Sequence, residues 1–526
     1  MLHSLRCRRG IVTAPHHLAA QSGLGVLEDD GTAVEACVAV AATLGSVYPH
    51  MTGIGGDGFW LIAEPDGRIC AVDACGASGR NVAPRIYAGH AMIPWRGPLA
   101  ANTVAGTVSG WSKARAYDTG SLSLSRLLRD AIHHAEEGVP VTRSGAEFAK
   151  SKGPELRGQR GAYATIFEAQ GRPVEEGEIL RQPALGSTLR KLAVDGLESF
   201  YRGAVARAIA TDLVALGSPL TAEDLASHEA RVSSPLSASI SGARLYNMPP
   251  PTQGLASLLI LALFDRLEAD EADGFAHIHG LVETTKRAFL VRDSHVGDPA
   301  YMTIDPQALL DDKRALDAMV AEISSARAAP WPHPSAPGDT TWFGAADQRG
   351  QVVSCIQSTY FEFGSGVVLP KTGIIWQNRG VSFRLTEAGW NALRPGRKPF
   401  TTLNPALARF DDGRIMAYGT MGGEGQPQTQ AAVFTRYARF GVPLQEAITA
   451  PRWLLGKTWG EETSSLKLES RFDPALIQAL AEAGHDVEVV APFTSMMGHA
   501  GAIVRHPSGV LEGATDPRSD GAVATW

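Results

Sequence analysis

A run with four prolines in nine residues, Ala329 to Pro337, empties through Gly338-Asp339 into Thr340-Thr341-Trp342-Phe343-Gly344-Ala345-Ala346-Asp347. Proline fixes φ and lacks a backbone N–H, so the first stretch reads as a flexible tail, not as sheet or helix interior. The β-branched and aromatic residues that follow favour a strand. After a turn at Gln348-Arg349-Gly350, the apolar Val352-Val353-Ser354-Cys355-Ile356 completes a hairpin. The chain must therefore place a loose tail directly against a strand that begins Asp-Thr-Thr.

Such a junction is where a chain can cut itself. If the Asp339–Thr340 bond breaks, Thr340 becomes an N-terminus with a hydroxyl and a free amine on one residue. Its Oγ can attack an amide while the amine, directly or through water, takes the proton. An α-amine has a pKa of roughly 7.7–8.0, close to working pH without much tuning. The plainer reading is that Thr340 and Thr341 are β-branched residues where such residues pack well.

With 526 residues the chain is long enough for several domains or one large multilayer body. Apolar residues make up 44% and charged residues 20%, an ordinary globular balance. A net charge of −7, without a Lys/Arg run, argues against nucleic acid or an anionic membrane as the main partner. No stretch of apolar residues is long enough to span a bilayer. The charges of the first ten residues are followed by Ala14-Pro15-His16-His17, not by the apolar run of a secretory signal. Five cysteines, an odd number with no CxxC pair, suit a reducing cytosol and so a cytoplasmic protein. His133-His134, beside Glu136 and Glu137, and His277 with His279 are read as not putting two ligands on one helical face at i, i+4, so no metal site is expected.

In chain order, Thr32 caps a buried helix over Ala33–Leu44. Gly53, Gly55 and Gly58 match GxGxxG, but a dinucleotide site needs a strand before that motif and a helix after it. Here a helix precedes and a strand, Phe59 to Ala63, follows, which excludes the nucleotide reading. The region from Leu122 to Ala226 reads as helical, Leu245–Met248 as a strand, and Leu255–Leu267 as an apolar helix. Ile278, Leu281, Val282, Thr285, Ala288 and Phe289 form a core stripe on the next helix. Val367 to Trp459 reads as strand-rich, and a last helix spans Pro474 to Ala483. Helices in the first part, and strands flanked by helices in the second, predict a layered body whose halves share one core. Within it, Gly419-Thr420-Met421-Gly422-Gly423-Glu424-Gly425-Gln426 can turn successive N–H groups toward one point, as a tetrahedral oxyanion requires, or form a plain turn. Thr401 and Thr402 offer paired hydroxyls for a pocket.

Taken together these stretches resemble the γ-glutamyltransferase family of N-terminal-nucleophile hydrolases, nearly end to end. The motifs that carry the likeness are Pro49-His50 through Phe59, Gly106–Gly110, Met248–Pro251, Arg292-Asp293 with Gly297-Asp298-Pro299, Asp339-Thr340-Thr341, Pro399–Thr402, Gly422-Gly423 and Asp516–Gly521. The resemblance implies an α+β, four-layer αββα sandwich made by a proenzyme that cuts itself between Asp339 and Thr340. Subunits 1–339 and 340–526 would stay together as a heterodimer, with no cofactor. Thr340 would be the nucleophile, Thr341 its support, and Gly422 and Gly423 the oxyanion hole.

The departures narrow the substrate. Family members acting on γ-glutamyl compounds hold the α-carboxylate with an arginine where an ungapped match puts Cys75. They hold the α-amine with an asparagine and an aspartate where Tyr360 and Ser382 stand, and their Thr-Thr-His is here Thr340-Thr341-Trp342. A zwitterionic substrate without partners would leave charges desolvated at several kcal/mol. Arg379, or else Arg80, remains to bind a carboxylate, and the short segment between Ser382 and Thr401 leaves an acyl-enzyme open to water. Ser358 with Tyr360 and the 377–380 and 421–428 segments resemble the oxamate amidohydrolase branch of the family, which implies hydrolysis of a small carboxylate-bearing amide, with Arg379, Arg80, Tyr360, Ser358, Ser382, Thr401 and Thr402 around it. A γ-glutamyl hydrolase or transferase, a glutaryl or cephalosporin acylase, and a non-catalytic scaffold are the alternatives.

Overall fold

The hairpin expected after the proline run forms the centre of a seven-stranded antiparallel sheet. The computed structural model describes residues 3–168, 170–333, 340–456 and 463–526, so Asp339 lies outside the described residues. The strands of its two large sheets are β1 (Leu5–Cys7), β2 (Gly10–Ala14), β3 (Asp57–Ala63), β4 (Ile69–Ala74), β5 (Arg231–Ser233), β6 (Leu236–Ile240), β7 (Ala243–Asn247), β8 (Thr341–Asp347), β9 (Val352–Ser358), β10 (Ala406–Phe410), β11 (Ile415–Thr420), β12 (Ala500–Arg505), β13 (Leu511–Thr515) and β14 (Ala522–Thr525). The first sheet runs β14-β2-β8-β9-β3-β4-β5 and the second β1-β13-β12-β11-β10-β7-β6.

Strand alternation builds the layers. On β8, Phe343 and Ala345 face a core shared with helices α1 (His17–Glu28) and α2 (Ala33–Val47), while Trp342 and Ala346 face a core between the sheets. On β10, Leu407 joins the inter-sheet core, whereas Ala406 and Ala408 pack toward helices α3 (Gly254–Phe264), α4 (Phe275–His295) and α5 (Gln426–Ala438). The result is the expected αββα sandwich. All fifteen residues of α2 are buried, and Thr32 caps it with a reciprocal bond from Glu35. Asp347 and Gln351 at the β8–β9 turn accept from the backbone N–H groups of Ala33 and Val34, which ties this helix to the hairpin.

The chain from 367 to 459 is not strand-rich. Among its described residues only β10, β11 and Trp453–Leu455 are strands, and α5 occupies thirteen residues of it. Residues 367–378 instead fold onto the glycine loop before β3: Trp376 bridges Gly55, and the Gln377 N–H bonds the Gly55 carbonyl at 3.0 Å. A Cβ on Gly55 or Gly56 would collide with the carbonyls of Ile375 and Ser358, so these glycines serve close backbone approach and not phosphate binding. The five cysteines are unpaired, and among the described residues no helix is long and apolar enough to cross a membrane.

Candidate active site

Thr340 stands one residue ahead of β8 and is completely buried. Because neighbouring strand residues face opposite ways, Thr340 shares the Trp342 side, toward the second sheet, and Thr341 does not. Thr341 Oγ1 donates to the carbonyl of Gln357, its register partner on β9, at 2.9 Å. A side chain that does reach Thr340 comes from the first residue of α5: Gln426 Nε2 donates to Thr340 Oγ1 at 3.2 Å.

The loop that delivers α5 carries the glycine pair. Gly422 (φ 122°) and Gly423 (φ 50°) both adopt the left-handed conformation that costs other residues energy, and the Gly425 N–H closes the turn on the Gly422 carbonyl at 2.7 Å. The thirteen-residue helix that follows directs its positive dipole end into this loop, where an anion would be stabilised. The loop is held from behind. Gln253 Nε2 donates to the carbonyls of Gly423 (2.8 Å) and Thr402 (2.7 Å), and the buried Arg292 donates to Gln253 Oε1 (3.1 Å) and Glu424 Oε2 (2.9 Å). Burial opposes the Arg292 charge, but the Asp293 and Glu424 carboxylates outweigh it and hold its pKa above the ordinary range.

Arg379 is 1% exposed, and among the described residues its side chain makes one hydrogen bond, from Nη1 to Thr402 Oγ1 at 3.3 Å. Its Nε and Nη2 have no partner among the described residues. The guanidinium lies 3.9 Å from the centre of the Tyr360 ring, a cation–π contact, and burial lowers its pKa. Tyr360 has a φ of 84°, strained for a residue with a side chain. Its N–H is held by Ser358 Oγ at 2.7 Å, and burial raises its phenol to about 12.

Asp57 faces the same region. Its Oδ1 accepts from the N–H groups of Gly76 (3.0 Å) and Gly106 (3.2 Å) and from Gln377 Nε2 (3.1 Å), while Oδ2 has no partner among the described residues. Burial raises its pKa to about 6 against the pull of the Gly76 bond and of Arg379. The buried Cys75 also lies within the electrostatic reach of Asp57 and Arg379.

The remaining expected residues divide. Thr401 supports the loop through backbone pairing with Thr252, and Thr402 accepts from Arg379. Ser382 Oγ is committed to the carbonyl of Phe400 at 3.0 Å. Arg80 is exposed, with its backbone N–H donating to Asp224 Oδ1 at 2.9 Å and its charge near Glu223, so Arg379 is the arginine enclosed with Tyr360 and Thr402. Gln426, Gln253 and Asp57 carry the site's hydrogen bonding without having been singled out from the sequence. The signal for the first was the run Gln426-Pro427-Gln428-Thr429-Gln430, amides at every second residue directly after paired glycines.

One grouping departs from the expectation of no ligand pair. His279 and Glu283 stand at i, i+4 on α4 and meet His485, with 2.9 Å between His279 Nδ1 and His485 Nε2. The three already have partners, since His279 Nε2 meets the Ser324 carbonyl at 2.8 Å and Lys286 Nζ lies 2.6 Å from Glu283 Oε1. Together they dock residues 324–329 onto the helix.

Residues 19–526 match the family described as gamma-glutamyltranspeptidase. The chain is 56% identical over 521 residues to an oxamate amidohydrolase proenzyme of Klebsiella pneumoniae, covering 98% of both chains. It is 40% identical to the glutathione hydrolase-like YwrD proenzyme of Bacillus subtilis, covering 97% of each. The crystal structure of a cephalosporin acylase from Bacillus halodurans superposes with a TM-score of 0.92 at 34% identity, covering 100% of this chain and 97% of that one.

Proposed function

This chain belongs to the γ-glutamyltranspeptidase family of N-terminal-nucleophile amide hydrolases, and from that premise we propose that it cuts itself at Asp339–Thr340 and then hydrolyses a small carboxylate-bearing amide, oxamate first among candidates. Arg379 carries the reading: it is a buried cation with two N–H groups lacking a partner among the described residues. A desolvated guanidinium left so is costly, and a substrate carboxylate supplies what is missing. An ammonium finds no matching acid at the two positions where γ-glutamyl enzymes hold it. Tyr360 stacks on Arg379 there, and Ser382 is spent on Phe400. Oxamate has a carboxylate and no amine.

In the mature enzyme Thr340 Oγ attacks the amide carbon and its proton passes to the α-amine. The tetrahedral oxyanion is held by N–H groups of the Gly422–Gly423 loop. Collapse breaks the C–N bond, ammonia leaves with the proton, and water cleaves the resulting ester to give oxalate. Subunits 1–339 and 340–526 remain one body, because β8 and β9 lie between β2 and β3 in the first sheet and β10–β13 lie between β1 and β7 in the second. The unpaired cysteines support a cytoplasmic location.

The experiment is intact mass of wild type and Thr340→Ala after storage at neutral pH, followed by assay on oxamate, γ-glutamyl-p-nitroanilide and glutaryl amides. Fragments of roughly 36 and 20 kDa, in the ratio 339 to 187 of a 55.7-kDa chain, are expected in the wild type alone. Arg379→Ala should raise KM for oxamate, and an unchanged KM refutes the clamp. A wild-type chain that stays intact refutes maturation, and preference for the γ-glutamyl amide refutes the substrate class.

A further inference from the structure

The contact between α5 and Thr340 has a fixed polarity. Gln426 is fully buried, and its Oε1 accepts from the backbone N–H of Asn404 at 3.3 Å. A backbone N–H can only donate, so it holds the oxygen end of the amide, and the NH₂ end is the one left for Thr340. One turn on, Gln430 Nε2 donates to the carbonyl of the same Asn404 at 2.6 Å. The two glutamines, at i and i+4 on one helix face, clamp both backbone groups of Asn404 and fix where Gln426 stands. Pro427, in the first helical turn, sets the chain direction there.

We propose that Gln426 is a catalytic residue: its Nε2–H holds Thr340 Oγ1 as a hydrogen-bond acceptor and stabilises the negative charge that gathers on that oxygen as it attacks. This rests on Thr340 being the nucleophile. An amide NH₂ has no lone pair to take the hydroxyl proton, so Gln426 is a donor to Thr340 Oγ1 and not the base that removes its proton. In amide hydrolysis that base is the freed α-amine. The Oγ–C bond forms, the proton moves from Oγ to that amine and then to the leaving nitrogen, and Gln426 is unchanged. Thr341, whose hydroxyl is committed to Gln357, does not serve this role.

The test compares Gln426→Ala, Gln426→Glu and Thr340→Ala in the full chain, reading fragment formation by intact mass and kcat and KM on oxamate from pH 5 to 9. Loss of one preorganised donor is expected to lower kcat on the order of 10²-fold with KM little changed, and to slow self-cleavage. Gln426→Glu keeps size and shape but can donate only while protonated. Its activity should therefore fall as pH rises through the titration of the new carboxyl, a limb the wild type lacks. A merely structural role would not create that limb. Wild-type kcat in Gln426→Ala, or a wild-type pH profile in Gln426→Glu, overturns the proposal, and the second variant decides if the first fails to fold. If Thr340→Ala stays active, the nucleophile reading fails and takes this one with it. If Thr340→Ala is inert while Gln426→Ala is fully active, Gln426 alone is wrong.

Discussion

The Trp342 ring of the first sheet is seated against Gly419 of the second, where a Cβ would overlap the indole Cδ1. Gly419 and Gly501 are register partners on β11 and β12, and a Cβ on Gly501 would meet the far edge of the same ring. The pair opens a notch in one sheet for a wedge from the other, and the indole N–H is satisfied by Ser354 Oγ at 2.9 Å. Trp342, a departure from the family's Thr-Thr-His, is therefore core packing two residues from Thr340, the proposed nucleophile. Gly419→Ala should cost about 2–3 kcal/mol by overpacking, read as a lowered Tm. In Trp342→Phe the same change should cost much less, because both act on one notch. Additive losses would contradict this.

Arg292 joins the helix core to the glycine loop by bonding both Gln253 and Glu424. Arg292→Met keeps bulk but takes the arginine's charge and hydrogen bond from the nearly buried Glu424 carboxylate. About 3–5 kcal/mol of stability should be lost. In protein that remains folded, kcat should fall more than KM rises, since the Gly423 backbone loses its brace. Steady-state kinetics on oxamate below the variant's Tm separates the two effects.

How far the sequence reveals this molecule depends on the range of the interactions. The α2 helix with its Thr32 cap, the hairpin at 341–358 and the core stripe of α4 were legible because each rests on local periodicity and caps. The helix at Gln426–Ala438 was not, because eleven of its residues are buried although many are polar, so it lacks an amphipathic signature. Its glutamines spend their amides on the backbones of Asn404 and Leu455 and on Thr340, partners 22 to 86 residues away. The sequence puts Arg379 ahead of Arg80, and burial separates them: Arg379 is enclosed and Arg80 is exposed. The i, i+4 spacing of His279 and Glu283 went unremarked in the sequence, and His485 is 206 residues from His279.

Acid should unfold the protein through its closing motif. Asp516 is buried between Arg452 and Arg518, with its Oδ1 3.0 Å from Arg518 Nη1 and its Oδ2 against Arg452. Burial alone would raise its pKa, but the two arginines outweigh it and bring it down to about 2. A depressed folded pKa means stability that is present above the unfolded value of about 3.9 and lost as pH falls through the folded one, on the order of 2 kcal/mol. Wild-type Tm should drop between about pH 4 and 2. Asp516→Asn should lose this limb and be about 3–5 kcal/mol less stable at pH 7, because the buried Arg452 loses its carboxylate and Arg518 is left with Glu469 alone. An unchanged acid limb in the variant would assign it elsewhere.

Under the proposed Arg379 clamp, Asp57 would tie substrate binding to pH. Burial lifts its pKa to about 6, so the folded state takes up a proton more readily than the unfolded one. Its contribution to stability accordingly falls as pH rises from about 4 through 6. Ionised, it meets part of the Arg379 charge, and protonated, it would leave that charge to a carboxylate held in the proposed clamp. The Gly76, Gly106 and Gln377 donors stay on Oδ1 in either form. KM for oxamate should therefore fall several-fold as pH drops through 6. Asp57→Asn keeps an oxygen for the three donors and places an uncharged NH₂ where Oδ2 stood, so it should hold the low KM from pH 5 to 8. A wild-type KM that does not vary with pH, or an Asp57→Asn profile that still titrates near 6, would separate Asp57 from the carboxylate site.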